Sequence, residues 1–112
     1  MKDVGMRDGL YRVQFETQLG SGSGYAALHN GTVCGGDRGM IYSGRFEVDG
    51  DLLSVTVAVE QRPDRKLPTL FGAGHAVISM CGRATPHSAE LSGVSADVPD
   101  MLFQAHLTHI PD

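Results

Sequence analysis

Three groups of residues have types and spacings that could do chemistry, and each demands a particular structural setting. Gly22-Ser23-Gly24-Tyr25-Ala26-Ala27 matches the GxGxxA form of a dinucleotide-binding turn, and Glu47 follows about twenty residues on, where a ribose-binding carboxylate belongs. That chemistry needs a helix starting at the glycines, its N-terminal amides facing a pyrophosphate. Asn30-Gly31 ends the segment before two helical turns can form, so a glycine-bent strand fits better. His106 and His109 form an HxxH, but on a strand this spacing turns the two imidazoles to opposite faces, and they cannot share a metal. His29, His75 and His87 lack the Cys or carboxylate spacing of a zinc site. For nucleophilic catalysis, the run Gly20–Gly24 puts Gly22 where a GxSxG elbow needs its serine, and Cys81 lies in an apolar strand where a thiol is inert. No phosphate-binding GxxxxGK[ST] loop occurs. No catalytic constellation assembles, so a non-enzymatic role without metal or cofactor is expected.

The elements that position these residues are strands. Asn30-Gly31 and Asp49-Gly50 are the pairs that most readily supply positive φ at both centres of a type I′ turn, so each is expected to join two antiparallel strands. Around them apolar and polar residues alternate. Tyr11, Val13 and Phe15 interleave with Arg12, Gln14 and Glu16; Tyr42, Phe46 and Val48 with Ser43, Arg45 and Glu47; Leu53, Val55, Val57 and Val59 with Ser54, Thr56, Ala58 and Glu60. The pattern predicts eight strands, at 9–17, 21–29, 32–36, 40–48, 52–60, 73–84, 88–96 and 101–110. Eight short strands with brief connections point to an all-β, up-and-down antiparallel barrel that joins first strand to last and so leaves no edge. Gly20, Gly22 and Gly24 line one face of the second strand and allow it to bend or another backbone to approach. The longest connection, 61–69, carries Pro63 and Pro68 and reads as a solvated loop. Breaks at Thr85-Pro86-His87 and Val98-Pro99-Asp100 separate the last three strands.

At 112 residues the chain closes one core, so residues 1–112 are expected to form a single domain, with 1–6 as an extension. No run approaches the eighteen or so apolar residues that cross a bilayer, and MKDVGMRDG lacks the apolar centre of a secretory signal, so a cytoplasmic protein without membrane contact is expected. In that compartment Cys34 and Cys81 are expected as free, buried thiols. The net charge is −4, and the nine basic residues are scattered apart from Arg62, Arg65 and Lys66. This surface offers no clustered cations for phosphate neutralisation, which disfavours direct nucleic-acid binding, and an acidic protein suits a basic protein partner.

DGLYRVQF, followed by NGTVCGGDRGMIYSGRFEVDGDLLSVTV, resembles the GrlR family of type III secretion negative regulators in its turns, glycines and aromatics over about the first 60 residues. The later strands fit in number and order. The resemblance implies a small lipocalin-like barrel, commonly a homodimer, that regulates transcription by binding a transcriptional activator protein rather than DNA. It also implies a regulatory acidic cluster between the fourth and fifth strands.

Here that stretch is Glu47-Val48-Asp49-Gly50-Asp51, in which Val48 and Gly50 interrupt the consecutive carboxylates of the family motif. Glu47, Asp49 and Asp51 close together would make a negative potential that a basic helix could recognise. Equally, Asp-Gly serves the turn itself and Glu47 is a solvent-facing strand residue. A second function is open to the barrel interior. If the inward set Tyr11, Phe15, Tyr42, Phe46, Val57 and Phe103 leaves a gap, a small apolar ligand or acyl chain could occupy it; if those aromatics fill the barrel, they are core.

Overall fold

The computed structural model of the chain describes residues 7–62 and 75–111. The described residues form eight strands: β1 (Gly9–Thr17), β2 (Gly20–His29), β3 (Thr32–Gly36), β4 (Met40–Asp49), β5 (Leu52–Gln61), β6 (His75–Ala84), β7 (Ser88–Val94) and β8 (Phe103–His109). Each pairs antiparallel with its neighbours in sequence, and β1 pairs with β8, from Tyr11 opposite His109 to Glu16 opposite Gln104. The fold is an all-β, up-and-down, lipocalin-like barrel. The loop expected at 61–69 lies, beyond Arg62, outside the described residues, as do the extension at 1–6 and positions 73 and 74 of the sixth strand.

Alternation decides the core. Leu53, Val55, Val57 and Val59 are all buried, while their neighbours Leu52, Ser54 and Thr56 face outward. Tyr11, Leu28, Leu53 and Ile78 are the largest wholly buried side chains, and Phe15, Phe46, Val48 and Met80 pack against the cluster half-buried. At Gly44 and Gly82 the inward positions have no side chain because a neighbouring strand's carbonyl, that of Thr56 or Glu90, occupies the space of a Cβ. Such close approach is how a short strand curls enough to close a barrel.

The turns separate into one that follows the expected geometry and one that does not. Asn30 and Gly31 take φ of 51° and 80° between the paired residues His29 and Thr32, as a type I′ hairpin requires. In the next hairpin Asp49 pairs with Leu52, so the tip is Gly50-Asp51, and only Gly50 takes a positive φ, at 63°. The expected Asp49-Gly50 tip is therefore shifted by one residue. Asp49 extends β4, and glycine takes the first tip position, the one a type II′ turn reserves for it.

β7 and β8 are each shorter than expected, β7 ending at Val94 and β8 starting at Phe103. Beyond Val94 the Asp97 carboxylate accepts the Val77 N–H at 2.8 Å, so a side chain takes the place of a strand partner for β6. The thiols also depart from expectation. Cys34 and Cys81 are both free but exposed, because Val33 and Met80 take the inward positions beside them.

Candidate functional site

Two concavities and one turn compete as the site. Inside the barrel, an apolar pocket of about 70 Å³ is bordered by Phe15, Tyr42, Val57 and Phe103 together with Ile78 and Leu107. Tyr11 and Phe46, expected in the same lining, do not border it. Tyr11 packs edge-on against His109 with ring centroids 5.1 Å apart and donates its hydroxyl to the Arg7 carbonyl at 2.6 Å. Phe15 and Tyr42 meet edge to face at 6.3 Å and fill much of the interior. A dry apolar cavity that takes benzene is about 150 Å³, so the barrel is mainly core, with room for a few heavy atoms.

Tyr42 anchors one end of that interior. Its hydroxyl donates to the Asp37 carboxylate at 2.5 Å, while the other oxygen of that carboxylate accepts the Gly39 and Met40 N–H groups, both at 2.8 Å. Arg62 Nε closes the arrangement by donating to the Asp37 carbonyl at 3.0 Å. Asp37 was not singled out from the sequence, although Gly36-Asp37-Arg38-Gly39 carries the signature of a side-chain-closed turn.

Burial, then the hydrogen bond to Asp37 and the charge of that carboxylate, push the Tyr42 phenol far above its ordinary value of 10. Above pH 10 the unfolded phenol ionises while the folded one keeps its proton. The native state then binds more protons, and stability falls as pH rises, by up to about 1.4 kcal/mol per pH unit. Tyr11 adds to the fall in the same direction, its phenol raised chiefly by burial. Tyr42→Phe is expected to flatten this alkaline limb, and to cost about 1 kcal/mol at neutral pH through the donor lost to Asp37. Urea unfolding followed from about pH 8 to 11 measures both.

The three carboxylates of the acidic turn stand on the β4–β5 hairpin. Glu47 and Asp49 both lie on the outer face of β4, and Asp51 stands at the tip. Asp51 is ion-paired with Arg83 of β6, whereas neither Glu47 nor Asp49 has an ion-pair partner among the described residues. Sequence reasoning missed Arg83, since only the register placing Leu52 opposite it brings it to the turn.

Cross-strand neighbours show where the turn leads. From Glu47 one outward belt runs through Ser54, Cys81, Ser92, Gln104 and Glu16. From Asp49 a second runs through Leu52, Arg83, Glu90, His106 and Gln14. Both belts enter an open groove of about 950 Å³ on the outside of the barrel, lined by Arg12, Glu16, Arg83, Glu90 and His106 among others. His106 Nδ1 lies 3.5 Å from Glu90, and Arg83 is shared between the groove and the acidic turn.

The remaining motifs resolve as strand residues. Gly22–Ala27 lies within β2, with no helix at the glycines. His106 faces outward, while His109 turns back toward Tyr11 and His87. Among the described residues no cluster of three or more His, Cys, Asp or Glu side chains is placed to hold a metal ion, and no helix is long and apolar enough to cross a membrane. Compared with models of known protein families and with curated sequences, the chain finds no match.

Proposed function

We propose that this protein is a non-enzymatic, GrlR-like negative regulator of transcription that acts by binding an activator protein rather than DNA, and that it works as a homodimer in the cytoplasm. The observation that carries the reading is the placement of the space. Among the described residues, a concavity of about 950 Å³ lies outside the barrel and reaches Arg83 beside the acidic turn, while the apolar pocket inside the barrel holds about 70 Å³. Specific protein recognition uses a surface of this kind, with charges that steer encounter and exclude partners of the wrong sign. Among the described residues Glu47 and Asp49 have no ion-pair partner, and the partner protein fitting them presents a basic segment. Asp51 contributes less, because Arg83 already meets it.

Capture of partners from the native cytoplasm, with wild type and with a variant carrying Glu47→Ala, Asp49→Ala and Asp51→Ala, tests the reading. The expected result is recovery of a DNA-binding activator by wild type and at least about a tenfold loss with the variant. Equal recovery by both removes the acidic turn from the interface. All three side chains are exposed, so the variant is expected to fold as wild type does.

The apolar lining of the interior favours a second reading, a carrier or sensor of a small apolar molecule. Its volume restricts the ligand to a few heavy atoms unless the barrel expands. Native mass spectrometry of freshly purified protein tests it; bare polypeptide alone counts against a carrier.

A further inference from the structure

The outer wall of the barrel divides by charge. Cross-strand partners carry one outward belt from Leu10 through Ala27, Cys34, Ser43 and Ala58 to Val77, across β1 to β6, and none of these six side chains is charged. Ala58 is half-buried and the other five are exposed. The belts that lead from the acidic turn instead carry Glu47, Arg83 and Glu90. Leu10, Tyr25, Ile41, Val77 and Val94, five of the eight exposed large hydrophobic side chains among the described residues, lie on the uncharged belt or in the row on either side of it. A contiguous exposed face of this kind marks an interface.

We infer that two copies of the chain pair face to face across this belt, about a two-fold axis that lies in the interface and passes over Ser43 and Ala58. The inference rests on the homodimer of the proposed function and assigns its interface, independently of the regulatory role. Charge complementarity carries it. Over β4 and β5 the face holds two charges of opposite sign, Arg45 in the row on one side of the belt and Glu60 in the row on the other, both exposed. Their Cα atoms are about 14 Å apart, by one strand spacing across and four residues along, so they do not meet within one chain. Neither has an ion-pair partner among the described residues. They lie diagonally about the paired residues Ser43 and Ala58, so the two-fold sets Arg45 on the partner's Glu60, and Glu60 on the partner's Arg45. Between these ion pairs the side chains are small, which lets the two sheets approach. A foreign protein would have to reproduce the diagonal, whereas a second copy supplies it by symmetry. Five strands, β2 to β6, and three rows give a footprint of roughly 24 by 20 Å, at the small end of specific interfaces, so the pair is expected to dissociate in the micromolar range.

Sedimentation velocity over a concentration series that spans the micromolar range tests the face on wild type, on Arg45→Glu, on Glu60→Arg and on an equimolar mixture of the two variants. Each variant alone opposes like charges twice, so its dimerisation is expected to weaken at least about tenfold, with unchanged circular dichroism because both side chains are exposed. In the mixture every contact again joins opposite signs, and mass at twice the monomer is expected to return. The native thiols give a second readout. Cys34 lies on the belt and Cys81 in the outer groove, both exposed in the single chain, so above the dissociation midpoint a maleimide is expected to modify Cys81 at its monomer rate and Cys34 at least about tenfold more slowly. A wild type that stays monomeric throughout overturns both the homodimer and the face. Single variants that dimerise as wild type does, a mixture that stays monomeric, or a Cys34 that reacts as fast in the dimer as in the monomer overturns the face alone. Failure to capture an activator leaves the face untouched.

Discussion

Gly82→Val is expected to abolish the cooperative unfolding transition, and Gly82→Ala to lower stability by about 3 kcal/mol, a large share of the roughly 5–15 kcal/mol of a domain this size. A Cβ at Gly82 would lie inside the van der Waals envelope of the Glu90 carbonyl oxygen. That atom is backbone in the β6–β7 ladder, where Gly82 stands opposite Leu91 and Arg83 opposite Glu90, so no rotamer change relieves the overlap. The strands must separate or β6 must rotate. Either disrupts the position of Arg83 beside Asp51, so the acidic turn is affected with the fold. Urea unfolding monitored by circular dichroism measures the effect, and a Gly82→Ala midpoint equal to wild type would refute the close approach.

The second large effect separates two adjacent leucines. Leu53→Ala is expected to cost about 3 to 4 kcal/mol, because Leu53 is wholly buried and its loss leaves a void in a closed wall. Leu52→Ala, one position earlier and 45% exposed, is expected within about 0.5 kcal/mol of wild type. The contrast tests the register directly. A one-residue slip of β5 would turn Leu52 inward and Leu53 outward and reverse the order of the two variants. Ile78→Val, in the adjacent strand, should lose about 1 kcal/mol and calibrates the scale.

These expectations are secure at the level of faces because the faces were legible in the residues. Alternation in Leu53–Val59 and Tyr11–Phe15 identified inward positions, and Asn30-Gly31 set its hairpin without help from the rest of the chain. Local information failed where a long-range partner decided the outcome. The end of β7 depends on the Asp97 carboxylate reaching Val77, which no pattern within residues 88–96 encodes. The exposure of Cys34 follows from the inward turn of Val33, yet in the short segment Thr32–Gly36 the periodicity is too brief to tell the faces apart.

The candidate site divides in the same way. Glu47, Asp49 and Asp51 could be read as a cluster because one hairpin contains them. Arg83, the groove beside it and the belts that link them exist only through five successive strand registers.

The pairing of β1 with β8 has a consequence for biosynthesis. Every other ladder joins strands adjacent in sequence and can form as the polypeptide emerges from the ribosome, but Tyr11 must wait for His109. Until Phe103–His109 has been synthesised, β1 and β7 each expose a bare flank, and the nascent meander is a template for intermolecular strand addition. Phe103–His109 must therefore be synthesised before the barrel closes on itself, and holdase chaperones are needed most in that interval.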